Sequence, residues 1–183
     1  MRLENSFEVA APAESAWLLL NDIPRVVSCM PGAELTESID EDNSRGVVHV
    51  KLGPMALQFG TDVTRSAVDE SAHRVVLVAK ARELRGRGSA QATIESSLRE
   101  AGGKTKVEIV TELTLQGGVA QYGRGIVPQV AAQLTKQFAD NVAALLERED
   151  EGVEPAAPVA PVGGVGLGLR ALWASLVRRF RRG

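Results

Sequence analysis

The sequence predicts an α+β domain in which a curved antiparallel sheet wraps around one long C-terminal helix, followed by a linker and a short amphipathic tail helix. Three observations predict it. Between about residues 34 and 116 apolar side chains recur at every second position. After Gly117-Gly118 they recur at every third or fourth position, and the last residues combine arginines with large apolar side chains at helical spacing.

Residues 3 to 10 read as a first strand. Pro12 then opens a short helix through Ala16-Trp17-Leu18-Leu19-Leu20, because proline is tolerated at the start of a helix, where its missing N–H has no partner to lose. A second short helical piece follows Pro24 and stops near Pro31-Gly32. In the strand region Leu57, Phe59, Thr61 and Val63 alternate with Gln58, Gly60, Asp62 and Thr64. Ala90, Ala92 and Ile94 repeat the alternation, as do Val107, Ile109, Leu113 and Leu115. Turns are expected at Gly53-Pro54, Asp69-Glu70-Ser71, Gly86 to Gly88 and Gly102-Gly103, which makes the strands an antiparallel meander. The helical run is carried by Tyr122, Ile126, Val130, Leu134, Phe138, Val142 and Leu145 up to about Glu147. Pro128 lies inside it and either kinks the helix or marks its true start. A helix with one apolar stripe needs a surface to cover, and the sheet offers a matching face.

The expected domain therefore spans residues 1 to 147. Residues 148 to 164, with Gly152, Pro155, Pro158, Pro161, Gly163 and Gly164 among Ala and Val, read as a semi-stiff linker that at about 3 Å per residue spans on the order of 50 Å. Residues 165 to 183 form the tail. There Leu169, Leu172, Trp173, Leu176, Val177 and Phe180 share one helical face, while Arg178, Arg179, Arg181 and Arg182 cluster near the end. Only seven uncharged residues separate Arg170 from Arg178, far fewer than the roughly 20 that a spanning helix needs, so the tail is expected to lie in a membrane interface. Each arginine near an anionic leaflet contributes about 1 kcal/mol. The competing reading is a helix that docks on a partner protein or on its own domain.

Composition narrows the function classes. The formal net charge is −2, and without the five arginines of the tail the rest of the chain stands at −7, so the body does not attract nucleic acid. Cys29 is the only cysteine, which excludes an internal disulfide and the usual cysteine zinc site. His49 and His73 are too few for a metal cluster, and surface positions are expected for both. The N-terminus lacks the apolar run of a secretory signal, so a cytoplasmic protein held peripherally on the inner face of the cell membrane is expected. Cys29 reads as a buried or pocket-edge thiol, since no base can be paired with it from the sequence. No paired carboxylates, serine-histidine-aspartate set or metal-ligand arrangement stands out, and a non-enzymatic protein is expected.

Several short motifs occur together and in order: Ala11-Pro12 with Ala16-Trp17, Leu20-Asn21-Asp22, Cys29-Met30-Pro31-Gly32-Ala33, Val50-Lys51-Leu52-Gly53-Pro54, and Leu134-Thr135-Lys136-Gln137-Phe138-Ala139-Asp140-Asn141. In these residues the chain resembles the CoxG family of carbon monoxide dehydrogenase subunits, over residues 1 to about 147. The resemblance implies the helix-grip (SRPBCC) superfamily, which includes START-type lipid-transfer domains and pollen-allergen-like proteins. It also implies an accessory protein of molybdenum-containing carbon monoxide dehydrogenases and related oxidoreductases, concerned with membrane recruitment and with carrying a quinone to or from the enzyme. No cofactor is implied beyond a quinone as carried ligand.

The candidate ligand cavity is expected between sheet and helix, lined by Leu57, Phe59, Leu77, Ala92, Leu113, Ile126, Val130 and Leu134. Small residues at Ala79, Ala90 and Ala92, with aromatics at only 4% of the chain, argue for unfilled space. A close-packed core gives the same periodicity, and the two readings stay open at this level. Arg82-Glu83-Leu84-Arg85-Gly86-Arg87-Gly88 reads as a solvated basic hairpin tip. Gly117, Gly118, Gly123 and Gly125 serve either a cavity mouth or a strand-to-helix turn. Two functions follow: a membrane-tethered carrier of a lipophilic small molecule, or a ligand-free adaptor or assembly factor that anchors a dehydrogenase. A cyclase or dehydratase would need polar groups converging in the cavity.

Overall fold

The structure is a computed structural model, and it describes residues 1–150 apart from Pro54 and Arg124. Strand β1 (Arg2–Val9) leads to two short helices, α1 (Ala13–Leu20) and α2 (Ile23–Cys29). Six strands follow: β2 (Ala33–Ser38), β3 (Asn43–Leu52), β4 (Met55–Asp69), β5 (Arg74–Glu83), β6 (Gly88–Ala101) and β7 (Lys104–Gly117). A 3-10 turn (Gly118–Tyr122) then precedes the long helix α3 (Val127–Asp150). The seven strands form one antiparallel sheet in the order β1-β7-β6-β5-β4-β3-β2, so β1 returns to pair with the last strand and every other neighbour is joined by a hairpin. This is the expected α+β helix-grip architecture.

The sheet bends because its strands are long and carry extra residues. β4 runs for 15 residues, and its register with β5 shifts between Arg65 and Ala67, where Ser66 bulges and its hydroxyl donates to the Val76 carbonyl at 3.1 Å. A second shift between Leu35 and Glu37 twists β2, the edge strand. One extra residue on one strand of a pair bends that strand and strengthens its twist, which wraps the sheet around α3.

The helix starts where proline permits. Pro128 is the second residue of α3, and Val130 N–H donates to the Ile126 carbonyl at 3.0 Å, so there is no kink to explain. Tyr122 and Ile126, expected on the same helix, precede it. Tyr122 ends the 3-10 turn, and the regular helix begins only at Val127. At the other end α3 continues to Asp150, so Arg148, Glu149 and Asp150, expected in the linker, are helical. Arg25 of α2 forms a two-pronged ion pair with Glu149 there.

Apolar packing is concentrated in two clusters. The larger joins α1 and α2 (Ala16, Trp17, Leu19, Leu20, Cys29) to Val9, Val75, Leu98 and Val107 of the sheet and to Phe138, Val142 and Leu146 of α3. The smaller lies at the opposite end, where Leu52, Leu57, Phe59 and Val119 meet Tyr122, Ile126 and Val130.

The short motifs acquire physical roles in this frame. Asp22 caps α2 by accepting from Arg25 N–H at 3.1 Å, and Asn21 accepts from Arg65 through its carbonyl and side-chain oxygens at 2.8 and 3.2 Å. Gly32, at φ +74°, packs on β3: a Cβ there would stand 2.5 Å from the His49 carbonyl oxygen. Asn141 of α3 donates to the Cys29 carbonyl at 2.9 Å, which ties the last motif to the cysteine-proline-glycine turn.

Candidate functional site

Between the two clusters lies an apolar cavity of about 390 Å³, bounded by the inner face of the sheet and by α3. Every strand except β2 contributes through alternation: Leu3 and Asn5 from β1, Val48, Val50 and Leu52 from β3, Phe59 and Thr61 from β4, Val75 to Ala81 at every second position of β5, Ala90, Ile94 and Ser96 from β6, and Ile109 to Leu115 at every second position of β7. Val127, Val130, Ala131, Leu134, Thr135 and Phe138 of α3 close it, with Leu20, Val26 and Met30 at the end beneath α1 and α2. Small side chains keep it open, since Ala79, Ala81 and Ala90 stand on the wall where longer residues would meet the helix.

Five of the eight expected residues line this space: Phe59, Leu77, Leu113, Val130 and Leu134. Three do not. Leu57 is sequestered in the smaller cluster, 2% exposed, and borders a shallower outer hollow between β3 and α3. Ile126 packs against the same cluster, because it ends the turn ahead of α3. Ala92 sits between Ala79 and Leu113 in the register, and its single-carbon side chain is not among the lining groups. The outer hollow, about 380 Å³, shares Val50, Val130 and Leu134 with the inner cavity, so the two adjoin along the gap between β3 and α3.

Polar groups on the inner wall escaped the sequence reading. Asn5, Thr61, Ser96, Thr111 and Thr135 line the cavity, each at an inward position of its strand or helix. The signal was present for Thr61, which stands in the Leu57-Phe59-Thr61 alternation. Asn5 and Ser96 lie in strands whose partners were not assigned.

The hairpin tip is not a simple solvated loop. Glu83 is 2% exposed, and its Oε2 accepts from the N–H groups of Arg85 and Arg87 at 2.9 and 3.0 Å, while Oε1 has no partner. Burial opposes the charge, but these backbone donors and the Arg87 guanidinium outweigh it, so the carboxyl lies below its ordinary value. Gly88 (φ +139°) sits at the base of the tip, where a Cβ would stand 2.1 Å from the Gln116 carbonyl oxygen, so the glycines serve this crowded turn. Leu84 is 57% exposed at the tip.

Cys29 is buried, and burial raises its thiol pKa against the lowering by the Ser28 hydroxyl and the Arg25 charge. His49 is exposed, as expected, 3.7 Å from Glu34. His73 departs from expectation: its ring lies 5.4 Å from that of buried Trp17, in the turn between β4 and β5. No group of three or more metal-binding side chains occurs among the described residues.

The sequence over residues 6–147 matches the CoxG family of carbon monoxide dehydrogenase subunits. The chain belongs to the CoxG family. Comparison with curated proteins gives no match. Solved structures share the fold. A conserved protein from Geobacillus kaustophilus is 18% identical, with a TM-score of 0.72, over 81% of this chain and 97% of that one. The ZhuI aromatase/cyclase of Streptomyces sp. R1128 is 13% identical (TM-score 0.59; 82% and 95% covered). A START superfamily protein from Mycobacterium smegmatis is 15% identical (TM-score 0.53; 81% and 98% covered). At these identities the likeness to the solved structures concerns the CoxG domain's fold. No helix among the described residues is long and apolar enough to cross a membrane, and the tail residues expected to bind one (Leu169 to Arg182) lie outside the described residues.

Proposed function

We propose that this CoxG protein is a membrane-tethered accessory of a molybdenum carbon monoxide dehydrogenase-type oxidoreductase, which carries a lipophilic molecule, a quinone, in the cavity between sheet and helix. The observation that carries the reading is the apolar hollow of about 390 Å³, within the range of small-molecule sites. The described lining residues include no acid, base or cysteine thiol, which favours holding a molecule over converting it. The domain boundary near residue 147, the linker and the basic tail complete the proposal: the tail anchors the protein reversibly at anionic lipid, and the linker lets the domain reach its partner enzyme.

The test is mass spectrometry of the organic extract of purified full-length protein. One lipophilic molecule per chain is expected, and an empty extract from a well-folded sample overturns the carrier role, leaving an adaptor that anchors the enzyme. A chain ending at Glu151 should no longer sediment with vesicles containing anionic lipid. Retention of vesicle binding by that shortened chain overturns the tether.

A further inference from the structure

The cavity is not uniformly apolar, and four of its five polar lining residues are gathered at one end; the fifth, Thr61, stands level with Leu115 across Ala81 and Ala90, and its hydroxyl donates to the Phe59 carbonyl at 3.4 Å. In the sheet register Asn5 and Ser96 stand opposite Ile109, one on each side, and Thr111 is two residues further along β7. Diagonal neighbours of this kind lie about 7–8 Å apart, within reach of one bound head group. The helix supplies a fourth. Phe138 of α3 meets Phe7 of β1 edge-on, with ring centroids 5.8 Å apart. α3 and β1 run in the same direction, since Val9 and Val142 share the larger cluster while Met1 stands at Gly123. Two residues back along the strand is about 6.6 Å and three residues back along the helix about 4.5 Å, which brings Asn5 and Thr135 to about the same level of the cavity they both line.

All four line the cavity, and none of their side-chain polar atoms is both sealed from solvent and unpartnered; among the described residues that is true only of Glu83 Oε1. A hydroxyl or amide turned to an apolar space without a partner is costly. Aliphatic residues of the same shape would fill these positions at no such cost. The four side chains are neutral, and no charged group among the described residues lines the cavity.

Resting on the carrier reading above, we propose that Asn5, Ser96, Thr111 and Thr135 form a head-group subsite for an uncharged amphiphile. Its carbonyl or hydroxyl oxygens are held at the end beneath α1 and α2, and its hydrocarbon extends toward Leu115, Val119 and Val127. The Asn5 amide and the hydroxyls donate to carbonyl oxygens or accept from hydroxyls. A carboxylate or phosphate head group finds no counter-charge and is excluded by the cost of burying it.

The test uses full-length protein stripped of bound lipid, with three probes of matched chain length delivered from cyclodextrin: decyl-benzoquinone, decylbenzene and decanoate. Titration calorimetry is expected to give a Kd for the quinone about tenfold below that for decylbenzene, with decanoate the weakest. Thr111→Val, which keeps the side-chain shape, and Asn5→Leu should each remove most of that advantage while leaving the decylbenzene Kd unchanged, with melting curves showing both variants folded. If the variants bind the quinone as the parent does, or decanoate binds best, the head-group subsite is overturned and the cavity reading survives. If no probe binds the stripped protein, the carrier reading falls as well.

Discussion

Filling the cavity from its own wall separates a hollow from a core. At about 24 cal/mol per Å³, an empty space of 390 Å³ corresponds to roughly 9 kcal/mol of unrealised packing, comparable with the whole stability of a domain. Ala79 of β5 and Ala90 of β6 both face it. Replacing both by leucine adds six carbons, worth about 5 kcal/mol at about 0.8 kcal/mol per buried methylene. Ordering two side chains and an imperfect fit reduce this to about 2–3 kcal/mol. In a domain of this size the stripped Ala79→Leu/Ala90→Leu protein should melt about 5–10 °C above the parent. It should also lose the ligand-induced rise that the parent shows, about 2.7 kcal/mol at a ligand concentration one hundred times Kd. Differential scanning calorimetry on stripped protein with and without decyl-benzoquinone reads both quantities. A drop in stability of about 1–3 kcal/mol, the usual cost of overpacking, would refute the reasoning by showing that the space is already occupied by side chains.

Asn141→Ala should cost about 1–3 kcal/mol in urea unfolding, because it strips the Cys29 carbonyl of its donor at the junction of α2 and α3; a loss below about 0.5 kcal/mol, well under the usual cost of an unpaired buried group, would remove that bond from the account. Glu83 has a folded pKa below its ordinary value of 4.5, so the stability it contributes is complete above about pH 4.5 and is lost as pH falls through the lowered folded value. Glu83→Gln should therefore be less stable than the parent at pH 7, with the two stability curves converging as pH falls below about 4.5, whereas parallel curves would contradict the assignment. Cys29 should resist a thiol-disulfide reagent at pH 7.5 in the native protein and react fully in 6 M guanidinium, and rapid native labelling would show that α2 opens readily.

Much of this architecture was legible in the residues themselves, and the omissions have physical causes. Period-two alternation located the strand region and its turns, because a sheet covered on one face imposes that period directly. It could not supply pairing. That β1 closes against β7, bringing Asn5 beside Ile109 and Thr111, depends on a contact more than a hundred residues away in sequence. The helical stripe from Val130 to Val142 was read from its spacing, and Tyr122 and Ile126 share that spacing because the Ile126 N–H bonds to the Tyr122 carbonyl at 3.2 Å and the Val130 N–H to the Ile126 carbonyl at 3.0 Å, although the regular helix begins only at Val127. Phe59, Leu77, Leu113, Val130 and Leu134 could be placed on an inner face, but whether such a face is packed or hollow depends on the side chains opposite. Leu57 and Ile126 show the packed outcome at the same period. Burial of Glu83 gave no sequence signal at all, because a carboxylate beside Arg82, Arg85 and Arg87 reads as solvent-facing until the turn folds around it.

The separation of the two clusters bears on how this domain tolerates change. Each is a bulkhead: α1, α2 and the far half of α3 brace one end, and the 3-10 turn with the start of α3 braces the other. Ala79 and Ala90 line the compartment and belong to neither brace, so exchanging either for valine would resize it and leave the braces in place. Relatives built on this frame are therefore free to diverge in the length and bulk of what they accommodate while keeping the same scaffold.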